Sequence, residues 1–282
     1  MCPETEASTD PSRPSPPSSP ARAGRDGEAT SLQDRARAVR TMFSAIAPTY
    51  DLLNRLLSFG VDEAWRRAMA NRLPPGDPHV LDVACGTGDV TLAALRARPG
   101  AVVRGADFSL PMLRGAVPKL LRAGLGARVA LQNASAEDLP YRDGVFDAVT
   151  IAFGIRNVIR RERALGEFYR VLRPGGRALI LDFSVPPNPV VRAGYGFYFH
   201  RVLPFVGGLV SGNFGAYRYL PRSVAAFPPR REFCRLLRDQ GFAQVTFEDF
   251  TLGIATLYQG IKPQQVCARD RRGVPSPEIP AG

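Results

Sequence analysis

The 282-residue chain has little histidine, cysteine or tryptophan. Two histidines, His79 and His200, are too few for a His-built metal centre, and no metal is expected. The four cysteines, at 2, 85, 234 and 267, form no CxxC pair. Neither a disulfide framework nor a zinc site follows, and a reducing cytoplasm suits the chain. No run approaches the roughly 20 apolar residues that cross a bilayer. Lysine is scarce among the 37 basic residues, so the net charge of +11 is carried mostly by arginine. That balance has three readings: an anionic membrane surface, a nucleic acid, or arginine scattered over solvated faces. An RNP motif, a zinc spacing and a recognition-helix signature are all missing, so a nucleic acid is not expected as partner.

The apolar fraction of 45% and charged fraction of 22% are ordinary for one globular domain. Residues 1–30 are rich in Pro, Ser and Ala and poor in large apolar residues, which predicts a disordered tail. They lack the apolar stretch of a secretory signal, and their acids argue against a transit peptide. Residues 263–282 read as a second loose tail.

The domain, 31–262, alternates strand and helix patterns. Strands are expected at 79–84, 101–107, 128–135, 145–154 and 176–184. Helices are expected at 89–98, 110–124 (kinked or restarted at Pro118) and 161–172. A helix at 230–241 and two strands, "AQVTFEDFT" and "ATLYQGIK", close the pattern. This predicts an α/β Rossmann-like, doubly wound, seven-stranded sheet, mostly parallel with an antiparallel last strand. Two pieces fall outside the alternation: a helical leader at 31–73, and an insert at 185–228 dense in Phe, Tyr and Gly.

"VLDVACGTGDVTLAAL" carries the chemistry. The first strand ends at Asp82, and Gly86 and Gly88 let backbone approach a ligand without an intervening Cβ. A dinucleotide fingerprint would want a third glycine where Thr91 stands. Asp89 at the helix start repels a diphosphate but tolerates an ammonium group. The second strand ends at Asp107, placed to accept both ribose hydroxyls. Ser135, Ala136 and Glu137 follow the third strand, near an adenine edge. A ligand with adenosine, ribose and a positive end fits, and S-adenosylmethionine has those parts. The bland reading is that the glycines serve a tight turn and Asp107 caps a helix.

"LDVACGTGD", "GADFSLPML", "SAEDLPY" and "YRVLRPGGRALILDFS" resemble the successive motifs of class I S-adenosylmethionine-dependent methyltransferases. "YDLLNRLLSFGVDEAW", "FGIRNV" and "AYRYLPRSVAAFP" resemble one branch, the ubiquinone/menaquinone biosynthesis C-methyltransferases of the UbiE/MenG type. The resemblance covers roughly residues 40–262. It implies methyl transfer from S-adenosylmethionine to a ring carbon of a prenylated quinol. It also implies cofactor contacts at Thr87, Asp107, Ser135 and Ala136, and at Ala152 where the family has serine. Asp62 stands where the family has His, Leu53 where it has Met, and Asp182 where it has Glu. The alternatives are transfer to another lipid-like small molecule or a basic nucleic-acid-binding protein.

Two readings stand for "FGIRNV". Either Arg156 stabilises or helps form a phenolate while Asn157 orients its hydroxyl, or Arg156 pairs with a structural carboxylate and Asn157 is a cap. Tyr50 and Asp51 either close over the ligands or form an ordinary helix start. The two histidines read as packed or solvent-facing rings. The insert is either a substrate lid, whose aromatics take an isoprenoid tail and whose arginines meet anionic head groups, or a plain core-covering subdomain. The expected place is the cytoplasm, peripheral at the inner face of the membrane, and a homodimer stays open.

Overall fold

The computed structural model describes residues 34, 37–45, 47, 58, 60–198, 201 and 214–264, the side chains of 214–218 excepted. The tail at 1–30, most of that at 263–282, and Leu53, Tyr50, Asp51 and His200 lie outside the described residues.

Seven strands form one sheet: β1 (His79–Val83), β2 (Val102–Asp107), β3 (Val129–Asn133), β4 (Phe146–Ala152), β5 (Leu172–Phe183), β6 (Ala243–Phe250) and β7 (Ala255–Ile261). Their spatial order is β3-β2-β1-β4-β5-β7-β6. β1 to β5 pair in parallel, whereas β7 runs antiparallel between β5 and β6. The last strand in the chain is therefore the antiparallel one, as the pattern predicts.

The helices are α1 (Val61–Asn71), α2 (Asp89–Ala97), α3 (Leu110–Arg122), α4 (Arg161–Val171), α5 (Pro189–Phe197), α6 (Phe214–Ala225) and α7 (Arg230–Asp239). The period of two along the strands separates two cores. Val80, Val103 and Leu179 pack with Trp65 and Met69 of α1 and Leu95 of α2 on one face. Leu81, Ile151 and Ile180 pack with Leu165 and Phe168 of α4 and Phe233 of α7 on the other. Each such fully buried side chain contributes about 1.5–3 kcal/mol. Burial on both faces explains why β1 and β4 read as continuous apolar runs rather than alternating ones.

One expectation is narrowed and one corrected. Of the two outcomes expected at Pro118 the restart does not occur: α3 runs through it, the ring removing one N–H from an otherwise continuous helix. β5 begins at Leu172 rather than 176. Its register against β4 jumps from Phe146↔Leu172 to Ala148↔Arg177, so Arg173–Gly176 bulges, with Gly175 at φ 82°. The far end of β7 secures the bulge: the Gly175 N–H donates to the Lys262 carbonyl, and the Lys262 N–H to that of Gly176.

The chain winds from β1 outward to β3, then crosses back to β4 beside β1. That reversal is the topological switch point, where open α/β sheets bind ligands beyond their carboxyl ends.

Candidate active site

β1 and β4 end side by side, each in a residue held in the left-handed region: Ala84 at φ 51° and Phe153 at φ 57°. Such backbone is costly for residues with a Cβ and concentrates at functional sites. The two turns touch, because a Cβ on Gly154 would lie 2.7 Å from the Ala84 Cβ. Above them opens a cavity of about 350 Å³, within the range of small-molecule sites.

Seven of the residues singled out in the sequence line it: Gly86, Asp107, Ser135, Ala136, Glu137, Ala152 and Asn157. Asp107 is buried at the end of β2. Its Oδ2 accepts the Gly86 N–H and its Oδ1 the Ser109 N–H, both at 2.8 Å. Burial pushes the carboxyl pKa upward against those two N–H groups, which favour the anion. Each oxygen keeps lone-pair capacity for a ribose hydroxyl. Gly86, at φ 54°, has open space where a Cβ would point, so a ligand can approach the backbone closely.

Four other residues of that set stand behind the wall. Asp82 is buried beneath the turn, its carboxylate accepting from Thr91 Oγ1 at 2.7 Å and from Thr150 Oγ1 at 3.0 Å. Burial raises its pKa from 3.8 to about 7, the two hydroxyls opposing the rise. Thr87 turns its side chain toward α3, with Cγ2 3.4 Å from the position of a Cβ on Gly115 and Oγ1 accepting from Lys119 Nζ at 3.3 Å. Gly88, at φ 86°, faces Ala116 and Leu120 of the same helix, so its smallness serves packing as well as the turn. The fourth is Arg156, whose Nη1 donates to Asp182 Oδ1 at 2.7 Å and to the Phe153 carbonyl at 2.5 Å. Its guanidinium also lies over the Phe183 ring. The structure thus shows the carboxylate pairing that stood as the bland reading of Arg156.

Asn157 remains at the cavity, and its Oδ1 is buried without a hydrogen-bond partner among the protein atoms. Asp89 is a correction. It is not turned toward the cavity to meet an ammonium group. It pairs with Lys119 at 2.6 Å and with Arg66 at 3.7 Å on the far side of the turn.

The sequence reading expected a helical leader but missed that its helix at 37–45 walls the cavity. Arg37, Val39, Arg40 and Phe43 line the same cavity. Phe43 meets Phe108 edge-on, and the Ser44 and Ser109 hydroxyls are 3.0 Å apart. The available signal was Val39 and Phe43 at helical spacing beside Arg37 and Arg40. The insert reaches the site too: Tyr195, Tyr198, Leu220 and Val224 cluster with Met42, Phe43 and Met112. Among the described residues, no group of three or more His, Cys, Asp or Glu could hold a metal ion, and no helix is long and apolar enough to cross a membrane.

The sheet order and the acid-and-glycine turn at its switch point define a class I S-adenosylmethionine-dependent methyltransferase fold. The solved structure of the cyclase SpnF shares this fold with a TM-score of 0.61 at 17% identity, over 80% of this chain and 95% of that one. The profile of the ubiE/COQ5 methyltransferase family matches residues 29–262. The ubiquinone/menaquinone biosynthesis C-methyltransferase UbiE of Syntrophotalea carbinolica is 53% identical over 79% of this chain and 93% of its own length. The demethylmenaquinone methyltransferase of Thermus thermophilus is 52% identical over 79% of this chain and 100% of its own. This chain belongs to the ubiE/COQ5 methyltransferase family.

Proposed function

We propose that the protein transfers a methyl group from S-adenosylmethionine to a ring carbon of a prenylated quinol, in the synthesis of menaquinone or ubiquinone, at the inner face of the membrane. One observation carries this reading. A single cavity joins Asp107, suited to a ribose, to the unpartnered Oδ1 of Asn157 after β4, in a chain half identical to quinone C-methyltransferases.

The residues fit the donor. Asp107 and the open backbone at Gly86 suit its ribose, and Ser135 and Ala136 border an adenine edge. S-adenosylmethionine supplies an electrophilic methyl carbon on a sulfonium when bound. The protein's task is to hold the ring in line and favour its phenolate, because a phenol of pKa about 10 is a poor carbon nucleophile. Asn157 Oδ1 accepts from the quinol hydroxyl that stays protonated and turns the ring carbon toward the methyl-donor end. Arg156 acts through its neighbour: its bonds to Asp182 and to the Phe153 carbonyl fix the turn that carries Asn157. Phe43, Met112 and Phe153 keep the cavity apolar, which strengthens the attraction between opposite charges inside it. Alignment of this kind supplies several kcal/mol of barrier reduction. One C–C bond forms at the ring, one S–C bond breaks, and the ring C–H proton leaves to solvent. Cys85 takes no part as a nucleophile, because burial and the neighbouring Asp82 and Asp107 carboxylates hold its thiol protonated.

The test is purified protein with S-adenosylmethionine and a short-tailed demethylated naphthoquinol or benzoquinol, read by mass spectrometry. The expected result is a quinol heavier by one methylene. Donor binding by calorimetry with no methylated product from either ring would overturn the quinol assignment.

A further inference from the structure

Helix α5 is apolar on two sides. Tyr195 and Tyr198 pack inward onto the cluster above the cavity. Val190, Ala193, Gly194 and Phe197, at i, i+3, i+4 and i+7, form the outer face, with Val190 79% and Phe197 67% exposed. An apolar stripe at helical spacing is ordinarily covered.

A second exposed apolar side chain stands close by. Leu252, 72% exposed, tops the turn between β6 and β7, where Thr251, Leu252 and Gly253 all have positive φ. A leucine held out in left-handed backbone is an unusual choice for a solvated turn tip. The turn is held firmly. Trp65 Nε1 donates to Thr251 Oγ1 at 2.9 Å. Arg230 binds Asp249 at 2.6 Å and donates to the carbonyls of Gly253 and Val185, each at 3.0 Å. Those bonds join the turn to the segment leading into α5, and a Cβ on Gly253 would lie 2.6 Å from Pro187. Val185, also exposed, sits on that segment. The turn is at the ligand edge of the sheet, since Ala255 pairs with Phe183 at the end of β5.

Charge points to the occupant. Residues 183–231 contain six arginines and no Asp or Glu. Arg192 on α5 is exposed.

We propose that Val185, Val190, Phe197 and Leu252, with Arg192, form a docking face for an anionic lipid bilayer. The apolar side chains enter the boundary between head groups and acyl chains, and arginine meets lipid phosphate. The ligand edge of the sheet then lies at the bilayer surface, where a prenylated quinol reaches the cavity without its tail crossing water. The inference rests on the quinol reading above, which supplies the reason for a lipid surface.

The experiment compares wild type with a Val190→Ser, Phe197→Ser, Leu252→Asn variant, in the full chain. Asn tolerates left-handed backbone, so the third change removes the apolar tip without adding strain. Sedimentation with phosphatidylglycerol-containing vesicles, at low and high salt, is read beside methyl transfer to a short-tailed soluble quinol. Wild type should bind anionic vesicles and release them in high salt. The triple variant should lose about tenfold in vesicle affinity while methylating the soluble quinol like wild type. The single change Arg192→Glu, on the same exposed face, should weaken binding at low salt. Wild type that ignores the vesicles, a triple variant that binds them unchanged, or a face whose loss abolishes only self-association would each overturn the proposal. Vesicle binding without methylation of any quinol would strike the functional reading and leave the docking face standing.

Discussion

Asp182 holds Arg156 at two points, accepting from its Nη1 at 2.7 Å and from its backbone N–H at 3.1 Å. Both residues are buried, and Asp182 Oδ1 also accepts the Phe183 N–H at 2.7 Å. The end of β5 is thereby locked to the turn after β4. Losing either partner strands a charge in the interior. Arg156→Ala should lower the unfolding free energy by about 3–5 kcal/mol. Urea titration of the ligand-free protein checks this, and a change below about 1 kcal/mol would show that the pair does not hold the turn.

Asp107→Ala removes the acceptor for two backbone N–H groups and for the donor's ribose. Hydrogen bonds to a charged group are worth about 1.5–3 kcal/mol each. S-adenosylmethionine should bind about a hundredfold more weakly by calorimetry. Unaltered affinity would place the ribose elsewhere.

Asn157→Ala should act on turnover rather than donor binding. With the hydroxyl acceptor gone, kcat should fall by tenfold or more, while the dissociation constant for S-adenosylmethionine stays within about twofold. A loss confined to donor affinity would assign Asn157 to the donor instead of the quinol.

Asp82 makes stability depend on pH. Its folded-state pKa of about 7 exceeds its ordinary 3.8, so the folded chain holds a proton that the unfolded chain has released. This contribution to stability falls as pH rises from about 4 to about 7 and levels off above that. Asp82→Asn keeps an acceptor for one threonine hydroxyl, while Thr150 Oγ1 can turn to the Leu81 carbonyl, 3.5 Å away. The variant should lose this downward slope and gain roughly 2–4 kcal/mol relative to wild type between pH 4 and pH 8. Parallel stability curves for the two proteins across that window would mean that Asp82 is ionised throughout.

Gly154→Ala drives a methyl group to 2.7 Å from Ala84 Cβ and 3.2 Å from the Ile151 side chain. The neighbours are a Cβ fixed to the backbone after β1 and the side chain of a buried isoleucine, so little can yield. Overpacking of this type costs about 1–3 kcal/mol. The melting temperature should drop by several degrees and donor affinity should fall with it. An unshifted melting curve would mean that the two turns are free to part.

Much of the site could be read before the fold. Gly86, Asp107, Ser135, Ala136, Glu137 and Asn157 were picked out by type or by place after a strand, and Ala152 through the family resemblance; all seven reach one cavity. What one dimension could not show was the direction in which side chains point. Asp82 and Thr87 stand in the same motif as Gly86, yet one turns to Thr91 and the other to α3. Asp89 answers to Lys119, thirty positions away in sequence. The leader's Arg37 and Arg40 gave no sign of the cavity because their partners lie across a tertiary contact.

The alternation of elements, the two-faced sheet and the family are written in the residues themselves, because periodicity and turn chemistry are local properties and the motifs are short. That Arg156 is spent on Asp182, that the leader helix walls the cavity, and that Val190, Phe197 and Leu252 are left facing outward emerges only when the chain is folded. Those facts depend on which distant segments pack together, and that is settled by the balance of burial and charge over the whole chain.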